Sequence, residues 1–97
     1  MLFAIRITDK PGMGATRRAV REAHIAYLSR HAAMLVLAGP IMDAEGNSIG
    51  SVRVVEAEDR AAVERLCNED PFALAGCFAS VEIDPYRIVF RDGRLVE

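Results

Sequence analysis

From Leu2 to Thr8 large apolar Phe3, Ile5 and Ile7 alternate with Ala4, Arg6 and Thr8, the two-residue period of a strand with two unlike faces. Asp9-Lys10-Pro11-Gly12 is turn chemistry. The period then lengthens: Val20, Ala23, His24, Tyr27, Leu28 and His31 share one side of a helix, and Arg18, Glu22 and Ser29 share the other. Thr16 is the expected N-cap of this helix, and its end is expected near Ala33. Met34 to Ala38 is a short apolar run interrupted by Gly39-Pro40 before Ile41-Met42, which predicts a bent or peripheral second strand. Asp43 to Asn47 reads as a hairpin turn into a third strand, Ser48 to Glu56, weighted with Ile49, Val52, Val54 and Val55. Gly50 within it marks a bulge or a close approach of another group. A second helix is expected after Asp59 as N-cap, burying Ala62, Val63, Leu66 and Cys67. Pro71 ends that helix and starts a short turn, Phe72 to Ala75, closed by Gly76. Cys77 to Ile83 alternates again as a fourth strand, and Pro85 to Phe90 continues extended before a charged tail.

The order βαββαβ predicts an α+β domain of the ferredoxin-like kind, with a four-stranded antiparallel sheet and both helices on one face. The 97 residues show no linker and no repeat, so residues 1–97 are read as one domain. Such an arrangement leaves the other sheet face bare. With 52% hydrophobic residues in so small a body, and Ala4, Ala79 and Val81 assigned to that face, a homodimer packed sheet to sheet is expected. A net charge of −2 without any Lys/Arg run offers no field for nucleic acid, and no apolar run reaches the roughly 18 residues of a membrane span. Met1 leads directly into a strand pattern, which points to a cytoplasmic protein. Cys67 and Cys77 are too few and too widely spaced for a disulfide framework or a zinc site and read as small packing residues.

Candidate chemistry starts with His24, an imidazole on the apolar stripe of the first helix. Such a ring needs hydrogen-bond partners, and partners fix its tautomer. It is either a core histidine satisfied by a carbonyl or a general acid/base oriented by a carboxylate. Asp70, directly before Pro71 at a helix start, reads as a routine N-cap.

Arg17 and Arg21, one helical turn apart, could hold an anionic ligand or form a solvated face, and Arg6 could pair with Glu82 or meet ligand from the open sheet face. Ser48 and Ser51 are candidate donors, Gly39, Pro40 and Gly50 candidate backbone approaches, and Tyr27, Phe72 and Phe78 candidate cleft aromatics. His24 and His31 are spaced i, i+7 without a convincing third ligand, so no metal is expected. No phosphate loop, redox pair or cofactor motif is present, so no cofactor is expected.

The series Arg21-x-x-His24-x-x-Tyr27-Leu28, then Ala38-Gly39-Pro40, then Gly50 before a β-branched strand, then Asp70-Pro71-Phe72, resembles the YciI-like (YCII-related) family across nearly the whole chain. The resemblance implies the dimeric α+β barrel form of the ferredoxin-like fold and an active site centred on a histidine and an aspartate, here His24 and Asp70. The capping and the orienting roles of Asp70 are compatible, because a carboxylate accepting backbone N–H groups stays ionised. If the pair acts together, His24 and Asp70 lie within direct or one-water hydrogen-bonding reach. The connection from the second to the third strand is shorter than the resemblance leads one to expect. Together these readings predict a small cofactor-independent enzyme, isomerase, lyase or dehydrohalogenase-like. His24, oriented by Asp70, moves a proton on a small anionic organic molecule contacted by Arg21, Arg6, Gly39, Pro40, Ser51 and Phe72. The alternative is a non-catalytic dimeric domain that binds a small ligand or assists assembly.

Overall fold

The computed structural model describes residues 1–97. Its elements run β1 (Leu2–Asp9), α1 (Gly14–Arg30), a 3-10 turn (Ala32–Met34), β2 (Leu35–Met42), β3 (Ser48–Glu56), α2 (Arg60–Asn68), α3 (Pro71–Leu74) and β4 (Phe78–Tyr86). A two-residue pair, β5 (Phe90–Arg91) and β6 (Arg94–Leu95), closes the chain. The four long strands form one antiparallel sheet in the order β2-β3-β1-β4, the ferredoxin-like arrangement. β2 and β4 are therefore the edges, which is where a sheet tolerates Pro40 and Pro85.

Register assigns the faces. Phe3, Ile5 and Ile7 of β1 stand opposite Val55, Arg53 and Ser51 of β3 and opposite Pro85, Ile83 and Val81 of β4. On this side Phe3, Ile5, Ile7, Val55 and Ile83 meet Tyr27 and Leu28 of α1 and Val63, Leu66 and Cys67 of α2 in one buried cluster. Val81 packs against that core, so it belongs to the helix side and not to the bare face to which its alternation assigned it. Ala79 lies where the β1–β4 register shifts, while Ala4 does stand on the open face, between Val54 and Asp84. Leu37, Val52 and Tyr86 are exposed.

Helix α1 differs from its sequence pattern at both ends. The turn at Gly12, with φ 76°, delivers the chain directly into the helix, so Met13 is the N-cap and Thr16 lies inside the first turn. The helix stops at Arg30, and His31 turns into the 3-10 segment that feeds β2. Only Tyr27 and Leu28 of its apolar stripe are fully buried, because the N-terminal half of α1 stands off the sheet and roofs a cleft. Helix α2 has its expected cap: the Asp59 carboxylate accepts from the Ala62 N–H at 2.9 Å.

The close approach signalled at Gly50 is that of the neighbouring strand. It pairs with Thr8, and a Cβ at this position would run into the carbonyl oxygen of Ile7. Because the obstacle is backbone, Gly50→Ala is expected to cost about 1–3 kcal/mol by forcing β1 and β3 apart. Urea unfolding checks this, and an unchanged midpoint would show that the two strands can separate freely.

Candidate functional site

Asp70 ends up buried because of what surrounds it in sequence. Pro71 cannot continue α2 but suits the first position of a new turn, so Asp70 becomes the N-cap of α3 and its Oδ1 accepts from the Phe72 N–H at 2.8 Å. The cap also turns the carboxylate inward, where it is fully excluded from solvent. Two further donors reach it. The alternation of β3 puts Arg53 on the helix side, and its Nη2 donates to Oδ2 at 2.6 Å; α1 brings His24 Nδ1 to 2.8 Å from Oδ1, across 46 positions of chain. Burial alone would push the Asp70 carboxyl up, but the His24 hydrogen bond, the Arg53 charge and the Phe72 N–H together hold it below its ordinary value. An ionised carboxylate only accepts, so Nδ1 carries the hydrogen and the lone pair of the neutral ring sits on Nε2, turned away from Asp70.

The imidazole is also held by its faces. It stacks on the Phe72 ring with centroids 3.8 Å apart and planes 11° from parallel. With one face of Phe72 taken, the Arg17 guanidinium, 4.5 Å from the ring centroid, covers the other. Arg17 is fixed in turn by Asp9 and by the Gly50 carbonyl, to which Nη2 donates at 3.1 Å.

Beside this centre lies a cleft of about 890 Å³ between α1 and the β2–β3 side of the sheet. His24 and Phe72 border it. Arg18, Arg21 and Ile25 line it from the helix, and Ala38, Gly39, Pro40 and Ser51 from the sheet. Ser48, where the short β2–β3 turn enters β3, lies at the same cleft. Two polar atoms along the lining have no partner in the protein, Ser51 Oγ and Arg53 Nη1.

The fold thus brings His24, Asp70, Arg21, Gly39, Pro40, Ser51 and Phe72 to one place. It does not bring Arg6, which lies exposed on the opposite face of the sheet, between Val52 and Glu82 in register, because its phase along β1 is that of Ala4 and not that of Ile5. Arg17 is not free to pair with Arg21 around a ligand, being occupied by Asp9, whereas Arg21 makes no ion pair. Tyr27 belongs to the core, its hydroxyl donating to the Leu66 carbonyl at 2.9 Å; burial first, then the charges of Glu69 and Asp70, pushes its pKa up. Phe78 packs against the core. Burial likewise raises both thiols, Cys67 and Cys77. No three His, Cys, Asp or Glu side chains gather closely enough to hold a metal ion.

Sequence reasoning missed Arg53. Its signal was an arginine amid β-branched residues in the inward phase of a strand, where a charge demands a buried counter-charge.

Three comparisons bear on this geometry. A family model described as the YCII-related domain matches residues 1–87. Protein YciI of Escherichia coli is 31% identical over 98 residues, covering 93% of this chain and 100% of the relative. The solved structure of 5-chloro-2-hydroxyhydroquinone dehydrochlorinase (TftG) from Burkholderia phenoliruptrix AC1100, in complex with 2,5-dihydroxybenzoquinone, superposes with a TM-score of 0.84 at 33% identity. It covers 90% of this chain and 94% of that one. SnoaB, a cofactor-independent oxygenase from Streptomyces nogalater, shares the fold with a TM-score of 0.54 at 20% identity, over 90% of this chain and 92% of its own.

Removing the Asp70 charge leaves Arg53 buried without a counter-ion, so Asp70→Asn is expected to cost about 3–5 kcal/mol at neutral pH. The native carboxyl lies below its unfolded value of about 3.9, so its contribution is complete above that pH and is lost as pH falls through the lower, folded value. Denaturant unfolding from pH 7 to pH 2 is therefore expected to show a steeper acid loss in wild type than in Asp70→Asn. Parallel curves would show that Asp70 is not held ionised.

Proposed function

Since the chain belongs to the family of YCII-related domains, we propose that it is a small enzyme in which His24, oriented by Asp70, performs acid/base chemistry on a small anionic organic molecule. The observation that carries this reading is the pairing of His24 Nδ1 with a buried, ionised carboxylate while the ring borders an open cleft. A histidine serving only the core would place the lone pair of its second nitrogen against a protein donor. Here Nε2 makes no hydrogen bond within the chain, and it is the atom positioned to take a proton.

The lining favours a compact, partly apolar anion. Ile25, Leu28, Ala38 and Pro40 offer aliphatic surface, and Arg18 and Arg21 offer positive charge without ion-pair partners. The likeness to TftG, whose described ligand is 2,5-dihydroxybenzoquinone, supports an oxygenated ring as substrate and an elimination as the reaction. In such a step Nε2 accepts a proton from carbon or hydroxyl, the electron pair of the broken bond moves into the ring system, and a leaving group departs with its own pair. This balances without an added oxidant or metal. The exposed Leu37, Val52 and Tyr86 on the bare sheet face support a second copy of the chain as partner there.

His24→Gln keeps a hydrogen-bonding side chain of similar volume but cannot shuttle the proton. Chloride release from 5-chloro-2-hydroxyhydroquinone is expected to fall about 10²- to 10⁴-fold in kcat, with KM nearly unchanged. Arg21→Ala is expected to act mainly on KM. No turnover by wild type across a panel of halogenated and hydroxylated ring acids would favour a binding domain over an enzyme, and turnover unchanged in His24→Gln would remove His24 from the chemistry.

A further inference from the structure

Two atoms near the catalytic centre are unaccounted for by the arrangement around Asp70. Ser51 Oγ and Arg53 Nη1 are both buried and both lack a hydrogen-bond partner, although almost every buried polar atom in a native protein has one. They are not scattered. Ser51 and Arg53 are two residues apart on β3, so they share its helix-side face, and both line the cleft that His24 borders. Ser51 is 7% exposed and Arg53 1%, too deep for either to serve as an ordinary solvated group.

We infer that Ser51 Oγ and Arg53 Nη1 form an oxyanion subsite on the cleft floor, which takes the deprotonated oxygen of a planar enol or phenol while His24 holds the proton. This rests on the acid/base reading of His24 and adds where the negative charge goes. Arg53 then has two duties: Nη2 neutralises Asp70, and Nη1 is left over because a carboxylate engaged at one oxygen by His24 and Phe72 offers the guanidinium a single bond. Ser51 lines the cleft, and its hydroxyl turns about a single side-chain torsion without backbone movement.

Charge balance supports the assignment. Asp70, Arg53 and a neutral His24 sum to zero. When an O–H bond of the ligand breaks, its proton forms an N–H bond at Nε2, its electron pair stays on oxygen, and imidazolium plus oxyanion again sum to zero. With Arg18 and Arg21 adding positive charge on the same cleft, the subsite therefore takes ring compounds with an ionisable hydroxyl. It distinguishes them from ring compounds of the same outline that have no acidic hydroxyl.

The test uses 2,5-dihydroxybenzoquinone and its 2,5-dimethoxy counterpart, titrated calorimetrically into wild type, Ser51→Ala, Arg53→Lys and His24→Gln. Wild type is expected to bind the dihydroxy ring well over tenfold more tightly than the dimethoxy ring, and Ser51→Ala to lose about tenfold or more of that preference, the size expected for a hydrogen bond to a charged group. Arg53→Lys is expected to lose more, but its pairing with Asp70 is also disturbed, so Ser51→Ala, a small change on an otherwise intact strand, decides. His24→Gln is expected to keep a Ser51-dependent preference while losing turnover, so the subsite and the catalytic reading fail separately. An unchanged preference in Ser51→Ala, or no binding of the dihydroxy ring by wild type, overturns the subsite.

Discussion

One fully buried carboxylate organises this molecule. Asp70 accepts from a backbone N–H of its own turn, from a guanidinium on β3 and from an imidazole on α1. A charge removed from water is tolerated only when its lone pairs are taken up. Because the three donors come from three different elements, satisfying that charge also fixes how the first helix, the sheet and the short third helix sit against each other. The same bonds that make the ion tolerable set the orientation of the imidazole.

A second layer holds the centre from the side. Phe72 is capped by His24 on one face and by Arg17 on the other, and Arg17 is tethered to Asp9 at the end of β1 and to the carbonyl of Gly50. That carbonyl lies where two strands come unusually close, which is possible only because position 50 has no side chain. A stretch that reads as a backbone irregularity is thus tied, through one guanidinium, to the ring on which the imidazole rests.

Much of the architecture was readable from periodicity alone: the strand pattern of Phe3, Ile5 and Ile7, the caps at Asp59 and Asp70, and the edge position announced by Pro40 all follow from local rules. The apolar stripe marked His24 as an imidazole in need of a partner, and the resemblance to the YCII-related family supplied Asp70 as that partner. What escaped was long-range. The N-cap at Thr16 failed because the tight turn at Gly12 already aims the chain into the helix. The phase of Val81 depends on register against β1, which its own strand does not encode, whereas Arg6 does stand on the open face beside Glu82, away from the cleft. Arg53 was passed over as one polar residue in a β-branched run, since its meaning comes from a carboxylate 17 positions away. One local signal was simply overlooked: Asp92-Gly93, with φ of 52° and 75°, closes a two-residue hairpin where only a charged tail was expected.

The double capping of Phe72 has a further implication. With both faces of that aromatic ring occupied, Phe72 has only its edge left for the cleft, and the apolar surface open there is that of Ile25, Ala38 and Pro40. Ala38 stands opposite Arg53 across β2 and β3, and Ile25 follows His24 in the chain, so two of these positions adjoin donors of Asp70. A substitution on the outer helix or the peripheral strand that reshapes the cleft therefore also presses on the residues that hold the buried charge in place.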